Sequence, residues 1–417
     1  MVGVGCVAAV FLVAASCTFS SPPEGSGGAP TDGTTGGSAT VASSTDTDAG
    51  TGITSAATSE GSVGGSGTGT ETGAGTESTV GSGGTTGSGG TAGTGGTTGG
   101  LRGGVPLRGV NLAGAEFAPW AIPGFYDIDY TYPTPEETTY FTGKGMNVFR
   151  LPFLWERLQP YAGAPLDADE LARIRTFVDD ATAKGAYVIL DPHNYARYYN
   201  GVIGQDPQVP ITVFTDLWSK LAAEFATEDR VIFGLMNEPH SMPTELWRDD
   251  ANAAIAAIRA AGATNLVLVP GNAWTGGHSW YDDWYGSPNA EVMGGIVDPE
   301  DNFAYEIHQY LDTDASGTNW ACESPTIGSI RLAAVTDWMR QQGARAFLAE
   351  FGGSDDPTCL AALDDILSFL EANDDVWLGW TYWAAGPWWG DYMYSLEPED
   401  GMDRPQMAPL EKHLPAP

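Results

Sequence analysis

From residue 106 onward, short and nearly unbroken apolar runs alternate with longer amphipathic stretches. The runs are PLRGVNLA (106–113), MNVFRLPF (146–153), AYVILDPH (186–193), VIFGLMNE (231–238), NLVLVPGN (265–272), FAYEIHQY (303–310), AFLAEFG (346–352) and VWLGWTYWA (376–384). Runs of this length without polar alternation fit parallel strands buried on both faces. Helical periodicity fills most intervals, over 134–145, 167–185, 212–228, 244–262, 324–343 and 358–373, with Asp167, Thr212, Thr244 and Ser324 as expected N-caps. Residues 273–302 carry no such periodicity, so the fifth helix is expected to be shortened or replaced by a loop, and only 405–413 remain for a closing helix. Eight strand–helix units in about 300 residues predict an α/β fold, the (β/α)8 TIM barrel. A doubly wound open sheet is disfavoured because no G-x-G-x-x-G follows the first strand.

The chain before this pattern has a different composition. Residues 1–100 contain no Lys or Arg, and 20–100 are mostly Gly, Ser, Thr and Ala. So few large apolar side chains cannot offset the entropy of ordering, which predicts a disordered linker with a typical span of about 50 Å. Residues 1–19 form a short apolar run suited to an export signal. Ala14-Ala15-Ser16-Cys17 is similar to a lipoprotein cleavage site, although there is no Leu three residues before Cys17 and no basic residue near Met1. Two readings therefore stay open, a secreted protein and one tethered to a membrane by lipid on Cys17. Residues 101–417 are expected to be a single catalytic domain and a monomer. The formal charge of −35 argues against nucleic acid and anionic membrane surfaces as partners. Cys322 and Cys359 are the only cysteines in this domain, and in an exported protein they are expected either to pair or to remain buried thiols.

Polar residues collect where the apolar runs end. Arg150 lies in the second run, and His193 and Asn194 close the third. Asn237 and Glu238 close the fourth, His308 and Tyr310 the sixth, Glu350 the seventh, and Trp383 lies in the eighth. In a (β/α)8 barrel these tips face one pocket. A glutamate at a strand end can simply cap a helix, a histidine can be hydrogen-bonded core, and a tryptophan is often buried. Two carboxylates converging on one pocket are what glycosidic bond cleavage requires. No His/Asp spacing resembles a metal-ligand set, and no cofactor is implied.

The motifs RGVNLAGAEF, FRLPFLWERLQP, LDPHNYARY, FGLMNEPH, EIHQYLD, LAEFGG and WTYWAAGPWWG, in this order, resemble glycoside hydrolase family 5, particularly its endo-β-1,4-glucanases. The resemblance implies a retaining mechanism with Glu238 as acid/base and Glu350 as nucleophile. It further implies that Arg150 steadies Glu350, that Asn237 binds the sugar 2-hydroxyl, and that His193 and Asn194 contact the sugar or support that shell. Tyr310 would sit by Glu350, His308 by the acid/base, and Trp383 under the sugar. The segment EIHQYLDTDASGTNWAC is similar to the fungal-type subgroup of the family, in which cysteines at the places of Cys322 and Cys359 pair; DTDASG is read as a turn. Trp120, Trp155, Trp274, Trp280, Trp284, Trp320, Trp388 and Trp389 exceed what one core needs, so several are expected to line an open cleft for a β-glucan chain. β-Mannanase or xyloglucanase activity on the same fold, decided by loops 114–135 and 273–302, is the nearest alternative. A non-catalytic glucan-binding lipoprotein is a more distant one.

Overall fold

The computed structural model describes residues 106–415. The expectations for the signal segment, the linker and Cys17 lie outside the described residues. Eight parallel strands close into a barrel: β1 (Leu107–Leu112), β2 (Val148–Phe153), β3 (Tyr187–Pro192), β4 (Val231–Gly234), β5 (Val267–Pro270), β6 (Phe303–His308), β7 (Ala346–Glu350) and β8 (Trp377–Ala385). Neighbours in sequence are neighbours in the barrel, and β1 pairs with both β2 and β8. Closure demands a close approach at Gly109, where any Cβ would lie 1.7 Å from the Val148 carbonyl oxygen. Only glycine fits there.

Helices α1 (Pro135–Gly143), α2 (Ala168–Ala183), α3 (Ile211–Phe225), α4 (Thr244–Ala260), α5 (Asn289–Val292), α6 (Ile327–Gln342), α7 (Pro357–Ala372) and α8 (Met407–Glu411) follow the strands in turn. The fifth is a single turn, as the missing periodicity implied. None of the described helices is long and apolar enough to cross a membrane. Of the expected N-caps only Asp167 holds, accepting from the Asp169 and Glu170 N–H groups. Pro210 and Pro243 occupy the cap positions of α3 and α4, and Thr326 that of α6. Proline fixes φ and starts the helix at the next residue, so Thr212 and Thr244 fall inside the first turn, while Ser324 stays outside it. Asp356 caps α7 instead, through the Thr358 N–H.

The core has two layers, set by strand alternation. Val148, Ile189, Ile232, Leu268, Ala304 and Phe347 fill the barrel interior. Phe149, Leu190, Phe233, Val269, Ile307 and Leu348 face outward into the helices. The same alternation that points Val148 inward points Arg150 inward one step nearer the pocket. Cys322 and Cys359 form a disulfide, tying the loop after β6 to the start of α7. The DTDASG segment is a turn wrapped around buried Asp312, whose carboxylate accepts N–H groups from Gly317, Thr318 and Asn319.

Candidate active site

At the C-terminal mouth of the barrel, Arg150 is fully buried and organises its surroundings. Nη1 donates to Glu350 Oε1 at 2.8 Å and to Asn111 Oδ1 at 3.0 Å. Nη2 donates to Asn237 Oδ1 at 2.8 Å and Glu306 Oε1 at 3.0 Å, and lies 3.1 Å from Asp191 Oδ2. Burial opposes the charge, but Asp191, Glu306, Glu350 and Glu238 outweigh it and hold the guanidinium pKa above its already high value. A planar fork with five donors can serve this many acceptors, which a point charge such as lysine cannot.

Glu350 reaches the pocket through a register slip. Ile307 pairs with Leu348 but His308 with Glu350, so β7 carries an extra residue at Ala349. Such a bulge re-aims the side chain that follows it. The second Glu350 oxygen accepts from Tyr310 Oη at 2.8 Å and lies 3.5 Å from His308 Nδ1. Glu238 stands on the loop beyond β4, because that strand stops at Gly234 and not at the glutamate. Its backbone is left-handed (φ 42°), a conformation costing about 1–3 kcal/mol for a non-glycine residue. Glu238 Oε1 meets His308 Nδ1 at 2.8 Å. One oxygen from each glutamate and a nitrogen of His308 all lie within 4.8 Å of one another. The Glu238 side chain is 16% exposed and Glu350 only 4%, so Glu238 is the more open to an incoming group.

His308 is enclosed by acids. Burial lowers its basicity, yet Glu350, Glu238 and Glu306 more than reverse this and raise its pKa to about 10. It is therefore an imidazolium at neutral pH, donating to Glu238 and, through Nε2, to Glu306 at 3.2 Å. The Glu238–His308–Glu350 triangle is compact enough to hold a divalent ion. Because the folded pKa exceeds the ordinary 6.5, ionised His308 stabilises the fold fully below about pH 6.5, and that contribution is lost as pH climbs toward about 10. Melting temperatures measured from pH 6 to 10 should therefore fall more steeply in the native chain than in His308→Gln. Parallel curves would refute this assignment of charge.

The remaining expected residues surround the pair. His193 binds Asp191 Oδ2 through Nδ1 at 2.9 Å and stacks on Trp383, with centroids 5.5 Å apart and planes 17° apart. The Trp383 backbone N–H donates to Phe351 O at 2.8 Å, tying the end of β8 to that of β7. Asn237 has its oxygen engaged by Arg150 Nη2. Asn194 differs: its oxygen accepts from Trp155 N at 2.8 Å and its nitrogen donates to Glu156 at 2.6 Å. Both ends of the amide are occupied, so it braces loops behind the pocket. The structure also brings in Asp191, Glu306, Asn111 and Tyr195, which motif reading did not single out. Period-two alternation in FAYEIHQY puts Glu306 on the same inward face as His308, and LDPH pairs Asp191 with His193 in the same way. Of the tryptophans, Trp155 and Trp280 are core, Trp274, Trp388 and Trp389 are half-buried, and Trp120, Trp284 and Trp320 are exposed.

Comparison with known proteins agrees with this geometry. The family model described as Cellulase (glycosyl hydrolase family 5) matches residues 108–386. Endo-beta-1,4-glucanase A of Emericella nidulans is 45% identical over 296 residues, covering 70% of this chain and 87% of that protein. An endo-beta-1,4-glucanase structure from Xanthomonas axonopodis pv. citri is 50% identical with a TM-score of 0.73, covering 74% of this chain and 98% of that one. XacCel5A, solved in complex with cellopentaose, is 48% identical at the same TM-score of 0.73 and covers 74% of this chain and 99% of that one. The chain belongs to glycosyl hydrolase family 5.

Proposed function

We propose that this protein is a retaining endo-β-1,4-glucanase acting on cellulose or related β-glucans. The observation that carries the reading is the approach of Glu238 and Glu350 oxygens to within 4.8 Å across one pocket. Retaining glycosidases hold their carboxyls about 5–5.5 Å apart, too close for a water to stand between carboxylate and sugar. Glu350 Oε attacks the anomeric carbon as the bond from that carbon to the leaving oxygen breaks, and Glu238 gives that oxygen its proton. The resulting ester is a glycosyl-enzyme. Glu238, now a carboxylate, takes a proton from water as the water attacks the same carbon and releases Glu350. Arg150 and Tyr310 hold Glu350 in line, Asn237 donates to the sugar 2-hydroxyl, and Trp383 supports the sugar's C–H face. His193 fixes that indole, with Asn194 behind it.

The acidic surface suits a neutral polysaccharide, and the Cys322–Cys359 disulfide is consistent with export to an oxidising compartment. Within the same proposal, residues 1–19 direct export, 20–100 act as a spacer, and the catalytic domain is a monomer, either secreted or tethered by lipid on Cys17. Reducing-sugar release by the full chain from carboxymethylcellulose, mannan and xyloglucan tests the substrate. Activity on carboxymethylcellulose should exceed the other two by at least about tenfold, the scale on which one well-placed hydrogen bond discriminates. Preference for mannan or xyloglucan would keep the chemistry and remove the substrate assignment, and silence on all three would favour a binding protein.

A further inference from the structure

Among the described residues, the large exposed aromatic side chains gather at one end of the barrel. Every one of those residues lies on a loop following a barrel strand, at the mouth that holds the two glutamates. Tyr161 follows β2, Tyr199 follows β3 and Trp284 follows β5. The densest group follows β1, where Trp120 and Phe125 are each 71% exposed and Ile128 is 74% exposed, with Tyr126 beside them. Apolar surface of this kind is costly to leave in water and marks a contact site when it is clustered.

This loop is a fixed platform. The Arg157 guanidinium, itself buried, donates to the carbonyl oxygens of Ala115, Phe117, Ala118, Ala121 and Pro123 at 2.6–3.4 Å. It also packs over the Tyr130 ring at 3.9 Å, while Arg173 covers Tyr126 at 4.3 Å. Asp129 accepts the Phe125 N–H at 2.7 Å, closing the turn. By contrast Trp120 and Phe125 stack on no other ring among the described residues. The platform joins the pocket through rings in contact: Phe117 meets Trp389 at 5.1 Å, and Trp389 meets Trp383 at 5.9 Å.

We infer that the β1 loop, through Trp120 and Phe125, is a docking surface for the face of an insoluble β-glucan, outside the cleft that cuts a single chain. This rests on the glucanase reading above. The occupant follows from charge and shape. Around the exposed rings Asp127 and Asp129 are offset by Arg173, which covers Tyr126, while Glu116 is buried, so the platform presents no strong charge of either sign and suits a neutral partner. A sheet of neutral pyranoses presents flat C–H faces to indole and phenyl rings. Continuity with Trp383 would let a surface held at the loop feed a chain into the pocket.

The test compares the full native chain with Trp120→Ala/Phe125→Ala and with Trp120→Tyr. Adsorption to microcrystalline cellulose and hydrolysis of soluble cellopentaose are measured on the same preparations. The double variant should adsorb about tenfold more weakly, the effect of two lost ring contacts, with cellopentaose turnover unchanged and Trp120→Tyr close to native. Unchanged adsorption would overturn the inference. So would a parallel fall in cellopentaose turnover, which would assign the loop to the cleft. Binding of the native chain to phosphatidylcholine vesicles that the double variant loses would assign the surface to a membrane and overturn it too. A native chain that adsorbs through these rings but leaves cellopentaose intact would uphold the surface and remove the glucanase reading instead.

Discussion

Glu350→Ala is expected to lower kcat on carboxymethylcellulose by roughly 10⁵-fold, the scale of losing a catalytic nucleophile. The fold should survive unharmed. Asp191, Glu238, Glu306 and Glu350 crowd around Arg150 and His308, so removing one carboxylate relieves repulsion among those that remain. The melting temperature should stay level or rise, the usual sign of a site whose charge arrangement serves chemistry over stability. Azide distinguishes the two glutamates. In Glu350→Ala, azide can attack the anomeric carbon directly from the vacated side and yield the α-glycosyl azide. In Glu238→Ala the glycosyl-enzyme still forms on activated substrates, and azide intercepts it to give the β-product. Products of the same configuration from both variants would defeat the double-displacement assignment.

The barrel was readable from sequence because its strands are buried on both faces. Each therefore appears as a continuous apolar run, and the polar residue that ends the run marks the mouth. Glu238 and Glu350 were singled out this way, and Arg150 as a charge inside such a run. What was not readable depends on contacts between distant segments. The extra residue at Ala349 exists only relative to β6, and the occupied amide of Asn194 only relative to Glu156 and Trp155. Thr212 and Thr244 satisfy a local capping preference, but the preceding prolines set the helix starts. Tryptophans show the same limit: Trp155 and Trp120 look alike in sequence, yet one is in the core and the other faces solvent. Glu306 and Asp191 lie within apolar runs, where a charge is hard to credit until Arg150 is seen between them.

Arg150→Met is expected to have the largest effect on folding, lowering stability by about 3–5 kcal/mol, as when one partner of a buried ion network is removed. The loss comes mainly from what remains. Asp191 and Glu306 are buried, and each already has one oxygen without a hydrogen-bond partner, so neither can turn to water for compensation. Methionine fills the volume but neutralises nothing. The deficit should shrink as pH is lowered, because protonating carboxylates that have lost their cation removes the buried charge. Arg150→Met/Glu306→Gln should recover part of the stability by deleting an unpaired charge, while activity stays low because Glu350 has still lost its Nη1 donor. Arg150→Lys should fall between, since one ammonium cannot reach Asn111, Asn237, Glu306 and Glu350 together. Chemical denaturation of the four proteins at pH 5 and pH 7 decides the matter. A single variant as stable as the native chain at pH 7 would mean that the buried carboxylates do not depend on Arg150, and that its role is confined to holding the nucleophile.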